Sequence, residues 1–187
     1  MLSQFDIPKA KSIPFLDQED NIIRSLKNGG KSRGLHPIIY GLKRARNYFL
    51  FLFAYVAPSN VLRITFNKWK GVHFGKNVYL GMFVFIDNAY PEYIFLDDHA
   101  SINAGSMIIS HFNLKKHFQD IITPSVEPVI IKEGAIISAR SIILPGVVIG
   151  TKSIVSAGSV VNRTVPDYTL VAGNPAKKVT VLKINDT

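Results

Sequence analysis

From Ile131 onward every sixth residue is aliphatic: Ile131, Ile137, Ile143, Ile149, Val155 and Val161. A helix repeats its apolar face every three or four residues and a flat strand every two, so neither produces this period. Four places after each stand Ala135, Ser141, Val147, Ser153, Ser159 and Val165, small or β-branched as a tight inward corner requires. The same template fits upstream at Phe74, Leu80 and Ile86 and again at Leu96, Ile102 and Ile108. Val78, Val84, Ala100 and Ser106 fill its small-residue slot. Gly75, Gly81, Asp87, Asp97, Asn103, Gly150 and Asn162 directly follow an aliphatic position, which suits turns with unusual φ. Six residues form one side of a three-sided parallel coil, so eighteen make a turn of a β-helix. Twelve such hexapeptides make four coils, a prism roughly 19 Å tall at about 4.8 Å per coil. The fold class expected is an all-β solenoid whose end coils need capping.

Stacking residues eighteen apart puts Ile86, Ile108, Ile143 and Val161 on one side of the prism. Both breaks in the period follow members of that set. Four residues too many separate Ile86 from Leu96, and seventeen too many separate Ile108 from Ile131. Asp87 to Tyr93 and Ser110 to Ile130 therefore leave the prism at the same corner of adjacent coils, where a pocket belongs.

The segment before the coil differs. Residues 1–76 hold 13 Lys and Arg against 4 Asp and Glu, whereas residues 77–187 hold 9 of each. The whole formal charge of +9 thus lies in the first part of the chain. Residues 1–34 read as an arm with a short helix at Gln18 to Leu26. Between Leu35 and Trp69 one or two amphipathic helices are expected, ending near Pro58, with Ile38, Ile39, Leu42, Tyr48, Phe49, Leu52, Phe53 and Val56 as the apolar stripe. That stripe either packs on the main domain or lies on a membrane interface. The run Tyr48 to Ala57 is about half of the ~20 residues a membrane-spanning helix needs. The division expected is 1–71 for arm and helices, 72–165 for the β-helix with its loop at 110–130, and 166–187 for a C-terminal cap and tail, Pro166 to Pro175 leaving the coil to cover its far end. No signal peptide is seen in Met1 to Lys11, so a cytoplasmic protein is expected, peripheral to the inner membrane face if the basic segment touches lipid. The absence of cysteine removes disulfides, thiolate metal sites and thiol nucleophiles.

Chemistry is expected at His111, at the mouth of the longer loop, since an imidazole is the simplest general base near neutral pH. His117 is its nearest rival. His99 reads as a turn residue, and His36 and His73 have no constellation about them.

The runs Pro128 to Ile137, Ile143-Leu144-Pro145-Gly146-Val147-Val148-Ile149-Gly150 and Ser156 to Val161, with Val171-Ala172-Gly173-Asn174-Pro175-Ala176-Lys177, carry a resemblance. Over roughly residues 72–180 the chain resembles the left-handed β-helix acyltransferases of the galactoside, maltose and xenobiotic O-acetyltransferase type. The resemblance implies the left-handed coil, an acetyl-CoA donor, a sugar or glycan hydroxyl as acceptor and His111 as general base. It further implies a homotrimer with active sites between subunits. Ser138, Ala139, Ala157 and Gly158 match the positions along which the family lays the pantetheine arm, with Asn162, Arg163, Lys177 and Lys178 near the CoA phosphates. Ile136 stands where the family often has Trp, and Arg140 departs from its small-residue pattern. Asp87, Asn88 and Glu92, in the insertion facing His111, are the candidates for acceptor hydroxyls. No metal and no nucleic-acid partner are expected. Two other readings compete: a non-catalytic β-helix adaptor with a basic membrane- or polyanion-binding arm, and a γ-class carbonic anhydrase holding zinc through histidines such as His99, His111 and His117.

Overall fold

A computed structural model describes residues 5–15 and 22–183 of the chain. The expected period appears as three flat faces of parallel strands. The first contains His73–Phe74, Ile94–Leu96, Val129–Ile131 and Val148–Ile149. The second contains Tyr79–Leu80, Ser101–Ile102, Ile136–Ile137 and Ile154–Val155, and the third Phe85–Ile86, Met107–Ile108, Ile142–Ile143 and Val160–Val161. Each strand is two or three residues long because every six-residue side spends the rest on its corner. The register joins Ile86 to Ile108, Ile108 to Ile143 and Ile143 to Val161, the stack the sequence arithmetic gives. These side chains point inward with Leu80, Ile102, Ile137, Leu96, Ile131 and Ile149 into one continuous apolar core.

The corners differ from the sequence reading in one respect. Positive φ falls two places later than expected, at Phe83, Gly105, Arg140 and Gly158 on one edge and at Asn77, His99, Gly134, Lys152 and Tyr168 on another. There the turned-out N–H reaches a carbonyl one coil back, as from Gly105 to Met82, Arg140 to Ala104 and Gly158 to Ala139, each at 3.0 Å. Gly81 and Gly150 are glycine for close approach instead. A Cβ at Gly81 would stand 2.6 Å from the Ala104 nitrogen, and one at Gly150 would stand 2.4 Å from that of Asp167.

The C-terminal segment also departs from expectation. Thr169–Gly173 does not leave the coil but adds a parallel rung to the second face, Leu170 beside Ile154 and Val171 beside Val155. Only then does the chain reverse, and Ala176–Val181 returns antiparallel along it. Thr169, Val171 and Val165 remain buried, so the alternation of this stretch outweighs Pro166, which sits at the corner where a missing N–H does no harm.

At the other end lie three helices: α1 (Ile22–Ser32), α2 (Pro37–Val56) and α3 (Asn60–Lys70). Residues 18–21 of the expected short helix lie outside the described residues; α1 continues beyond its predicted end. Pro37 opens α2 and Gly71, at φ 116°, closes α3. The amphipathicity of α2 is turned around from the first of its two sequence readings. Ile38, Leu42, Phe49, Leu52, Phe53 and Val56 are all exposed, with Val61, Leu62 and Trp69 of α3. The buried face of α3 is polar, carrying Arg63, Asn67 and Lys70.

The reason is the backbone edge of the first coil, whose N–H and C=O groups have no strand before them. Asn60 spans it, accepting from Leu80 N at 2.8 Å and donating to Val78 O at 3.1 Å. Arg63 donates to Leu80 O at 2.6 Å and to Ala57 O at 2.7 Å, while Lys70 donates to Ile86 O at 3.0 Å. Burial pulls the Lys70 ammonium down to about 8, against the opposing pull of the nearby Asp87 carboxylate. Phe51 packs on Phe85 and Tyr55 on Phe83, tying α2 to the same coil.

Candidate active site

Both insertions leave at the corner after the third face, as their offsets from Ile86 and Ile108 require. The shorter one folds on Asp87. Its Oδ1 accepts from Ala89 N at 2.8 Å and from Tyr90 N at 3.4 Å, an Asx-turn that swings the loop back on itself. Its Oδ2 accepts from Ser110 N at 3.0 Å and lies 3.0 Å from Ser110 Oγ. The same oxygen faces His111 Nδ1 at 2.5 Å.

The longer insertion starts as a strand, His111–Phe112, which pairs antiparallel with Ser125–Val126 at the loop's return. Lys11–Ser12 of the N-terminal arm adds a third strand, and Ile13, Val126 and Tyr93 form a small second core beneath it. His111 therefore rests on a braced base. Its ring is 5.4 Å from that of Tyr90, over which the Arg33 guanidinium lies at 4.2 Å. Arg33 also donates to Ala89 O.

This arrangement fixes the tautomer. Burial alone would push the Asp87 carboxyl up, but the bond and charge of His111 and the N–H groups of Ser110 and Ala89 outweigh it and hold Asp87 below the ordinary carboxylate value. An ionised Asp87 accepts from Nδ1–H, so the neutral ring carries its lone pair on Nε2. The His111 side chain is 26% exposed against 2% for Asp87, so the ring can be reached from outside while the carboxylate cannot.

Asp87, expected to meet an acceptor hydroxyl, instead has both oxygens engaged by the loop backbone, Ser110 and His111, with its side chain 2% exposed. Asn88 does line a cavity of about 530 Å³ next to His111, and its buried Oδ1 has no partner. Glu92 stands outside the cavity wall, its carboxylate 3.9 Å from Arg33. The cavity runs from His111 between the arm, α1 and the inward side of α2, where Tyr40, Lys43, Arg44 and Asn47 contribute. That contribution was readable as a polar stripe at three- and four-residue spacing. Ser110 carried no signal beyond its position.

The remaining candidates lie apart from His111 within one chain. Ser138, Ala139, Ala157 and Gly158 form the stacked corner between the second and third faces, with Arg140 exposed beside them. Asn162 and Arg163 are exposed at the corner of His111 but two rungs further along, and Lys177 and Lys178 are exposed on the returning strand. His99 sits at a different corner, and His117 is on a 3-10 turn against Phe118. Among the described residues no three side chains of metal-ligating type come together.

No family model matches the chain. It is 31% identical over 140 residues to the protein named "Putative acetyltransferase YvoF" of Bacillus subtilis (strain 168), covering 73% of this chain and 76% of that one. It superposes on the hexapeptide-repeat-containing acetyltransferase VCA0836 of Vibrio cholerae O1 biovar eltor, solved with acetyl coenzyme A, at a TM-score of 0.61 and 23% identity over 81% of this chain and 96% of that one. A maltose O-acetyltransferase from Clostridium difficile 630 gives a TM-score of 0.61 at 18% identity, covering 77% and 88%.

Proposed function

Since the chain belongs to the family of hexapeptide-repeat acetyltransferases, we propose that it transfers acetyl from acetyl-CoA to a hydroxyl of a sugar or glycan, with His111 as general base. The observation that carries this reading is the His111 to Asp87 contact beside a cavity that His111 lines: a carboxylate on Nδ1 leaves the lone pair of the neutral ring on Nε2. Nε2 takes the proton of the acceptor hydroxyl as its oxygen attacks the thioester carbonyl. The resulting oxyanion is met by a backbone N–H near a coil corner. The C–S bond then breaks, CoA leaves as thiolate, and the imidazolium returns its proton to the sulfur. No covalent enzyme intermediate is needed, in keeping with a chain that lacks cysteine.

Ser138, Ala139, Ala157 and Gly158 are the proposed pantetheine groove, with Asn162, Arg163, Lys177 and Lys178 toward the CoA phosphates. The separation of Ser138, Ala139, Ala157 and Gly158 from His111 by the third face supports a homotrimer in which one copy's His111 meets a neighbour's groove. Calorimetric titration with acetyl-CoA tests the donor. Micromolar binding, weakened about tenfold in Lys177→Ala, is expected, since charge-assisted phosphate contacts are worth about that much. No binding at millimolar acetyl-CoA would sink the assignment.

The exposed stripe of α2, beside the exposed Arg46 and within the segment that holds the whole +9, supports contact with an anionic lipid surface at the inner membrane face. No described helix is long and apolar enough to cross a membrane. Sedimentation with phosphatidylglycerol vesicles is expected to carry the protein down, and Phe49→Ser/Phe53→Ser to leave most of it in solution. Equal pelleting of the two proteins would remove this contact.

A further inference from the structure

One carbonyl at the sealed end of the coil leads straight into the site. Asn60 and Arg63 cap Val78 and Leu80 at the second face. Lys70 caps Ile86, the last residue of the third-face strand from which the shorter insertion leaves. The next residue is Asp87, and the peptide group that joins the two is gripped at both ends. Lys70 Nζ donates to Ile86 O at 3.0 Å, and Asp87 N donates to Ile108 O at 2.9 Å. The C=O and N–H of a trans peptide point in opposite directions, here one toward α3 and the other toward the next coil. Such a unit cannot rotate without breaking one bond or the other, and its orientation sets where the Asp87 side chain begins.

A neutral amide is enough to cap a carbonyl, as Asn60 does for Val78. A lysine costs more, because its ammonium is buried and burial disfavours charge. Two groups offset that cost. The Phe51 ring has its centroid 5.6 Å from Nζ, and the Asp87 carboxylate, also buried, opposes the fall that burial imposes on the ammonium. A buried cation and a buried carboxylate thus share one peptide group, and removing either leaves the other uncompensated. The carboxylate in turn faces His111 Nδ1, which makes Lys70, Asp87 and His111 a chain from the cap of the coil to the imidazole.

We propose that Lys70 positions His111 through Asp87: it pins the peptide group that aims the carboxylate, and its charge keeps that carboxylate ionised and disfavours a second cation on the ring. The proposal rests on the acetyl-transfer reading for the use to which His111 is put, not for the link itself. Lys70 is a positioning residue, since it acts through Asp87 and does not line the cavity. Other charges stand near these groups: Glu92 beside Gly71, Arg33 over the Tyr90 ring, Arg63 two turns back on α3, and Lys43, Arg44 and Lys115 in the cavity wall. All of them stay in place when Lys70 is replaced.

The experiment uses the full chain and its Lys70→Met, Lys70→Gln and Arg63→Met variants, isotope-labelled on the histidine rings and titrated with pH by NMR, with His111→Ala to assign the His111 signals. In the wild type the neutral ring is expected to show a protonated Nδ1 and an unprotonated Nε2. Lys70→Met removes a repulsion against the imidazolium and leaves the Asp87 charge unopposed by it, and both changes favour the charged ring. The ring is therefore expected to take up its proton at a pH about half a unit higher, and its two nitrogen signals to draw together as the tautomers mix. Lys70→Gln keeps a donor for Ile86 O, so it is expected to make the same move in pH with the tautomer retained, and it serves where Lys70→Met does not fold. Arg63→Met removes a second buried cation of the seal, one that caps Leu80 and Ala57, and is expected to lower Tm without moving the titration. Titrations of the Lys70 variants that coincide with that of the wild type would overturn the proposal. An equal move in Arg63→Met would do the same, since the effect would then be a general loosening of the cap. Acetyl-CoA, titrated by calorimetry, is expected to bind all four proteins within about twofold. No acetyl-CoA binding in any of them, with the dependence on Lys70 intact, would remove the transfer reading and leave the link from Lys70 to His111 standing.

Discussion

His111→Ala is expected to lower kcat by about a thousandfold, within the 10²–10⁴ that positioned acid-base groups contribute, while acetyl-CoA affinity changes by less than about twofold. Among the described residues lining the cavity, no other side chain is an imidazole or a carboxylate. The Asp87 carboxylate faces the imidazole, and the Lys43 ammonium and Arg44 guanidinium bring only donors. The fold should be intact, because the strand His111–Phe112 is held by its backbone pairing to Ser125–Val126, which alanine retains. Residual turnover would come from positioning the acceptor oxygen against the thioester. Thiol release under saturating substrates checks the rate, and a loss of less than tenfold would mean that His111 is not the base.

Asp87→Asn is expected to lower kcat by about two to three orders of magnitude relative to wild type, within the 10²–10⁴ of acid-base catalysis, because it puts the histidine in the wrong tautomer. The amide fits the same space, but its NH₂ turned toward His111 makes Nδ1 an acceptor and moves the ring proton to Nε2. Turned the other way, it sets a donor against Ala89 N–H instead. Combining the two substitutions is expected to do little more harm than His111→Ala alone, because a residue that acts through another cannot be lost twice. Multiplied effects in the double variant would give Asp87 a separate role. Stability should fall by about 1–3 kcal/mol in Asp87→Asn, from donors left without a charged acceptor. The folded-state pKa of Asp87 is lowered, so its contribution is complete above the ordinary carboxylate range and fades as pH falls through the folded value. The acid limb of the variant's stability profile is therefore expected to be flatter, which thermal melts across that range will show.

Much of the coil was legible because its rule is local. Each inward position must be aliphatic, each corner must be small, and an insertion is visible as a break in the count. The pairing of the two loops followed from arithmetic on Ile86 and Ile108, and His111 from standing at the mouth of one of them. The role of Asp87 did not follow, because a carboxylate that orients a base and one that binds a hydroxyl look alike until the Asx-turn aims it. Amphipathicity likewise gave the helices between Leu35 and Trp69 two faces without saying which turns inward, and α3 decides against its apolar one. A side-chain core attracts the apolar face, but the first coil presents bare peptide groups, and those attract Asn60, Arg63 and Lys70. The strand at Lys11–Ser12 is two residues held by another segment's backbone, a feature with no sequence pattern of its own.

The polar seal made by α3 has a consequence for how many molecules a particle contains. A stack of identical coils has no built-in length: its lowest layer matches the underside of any other, and a bare one would add neighbours head to tail as a fibre does. By filling Val78, Leu80 and Ile86 with amide, guanidinium and ammonium groups, α3 makes that layer a terminus that cannot recruit another strand. End-to-end growth of copies through that layer is thereby closed off.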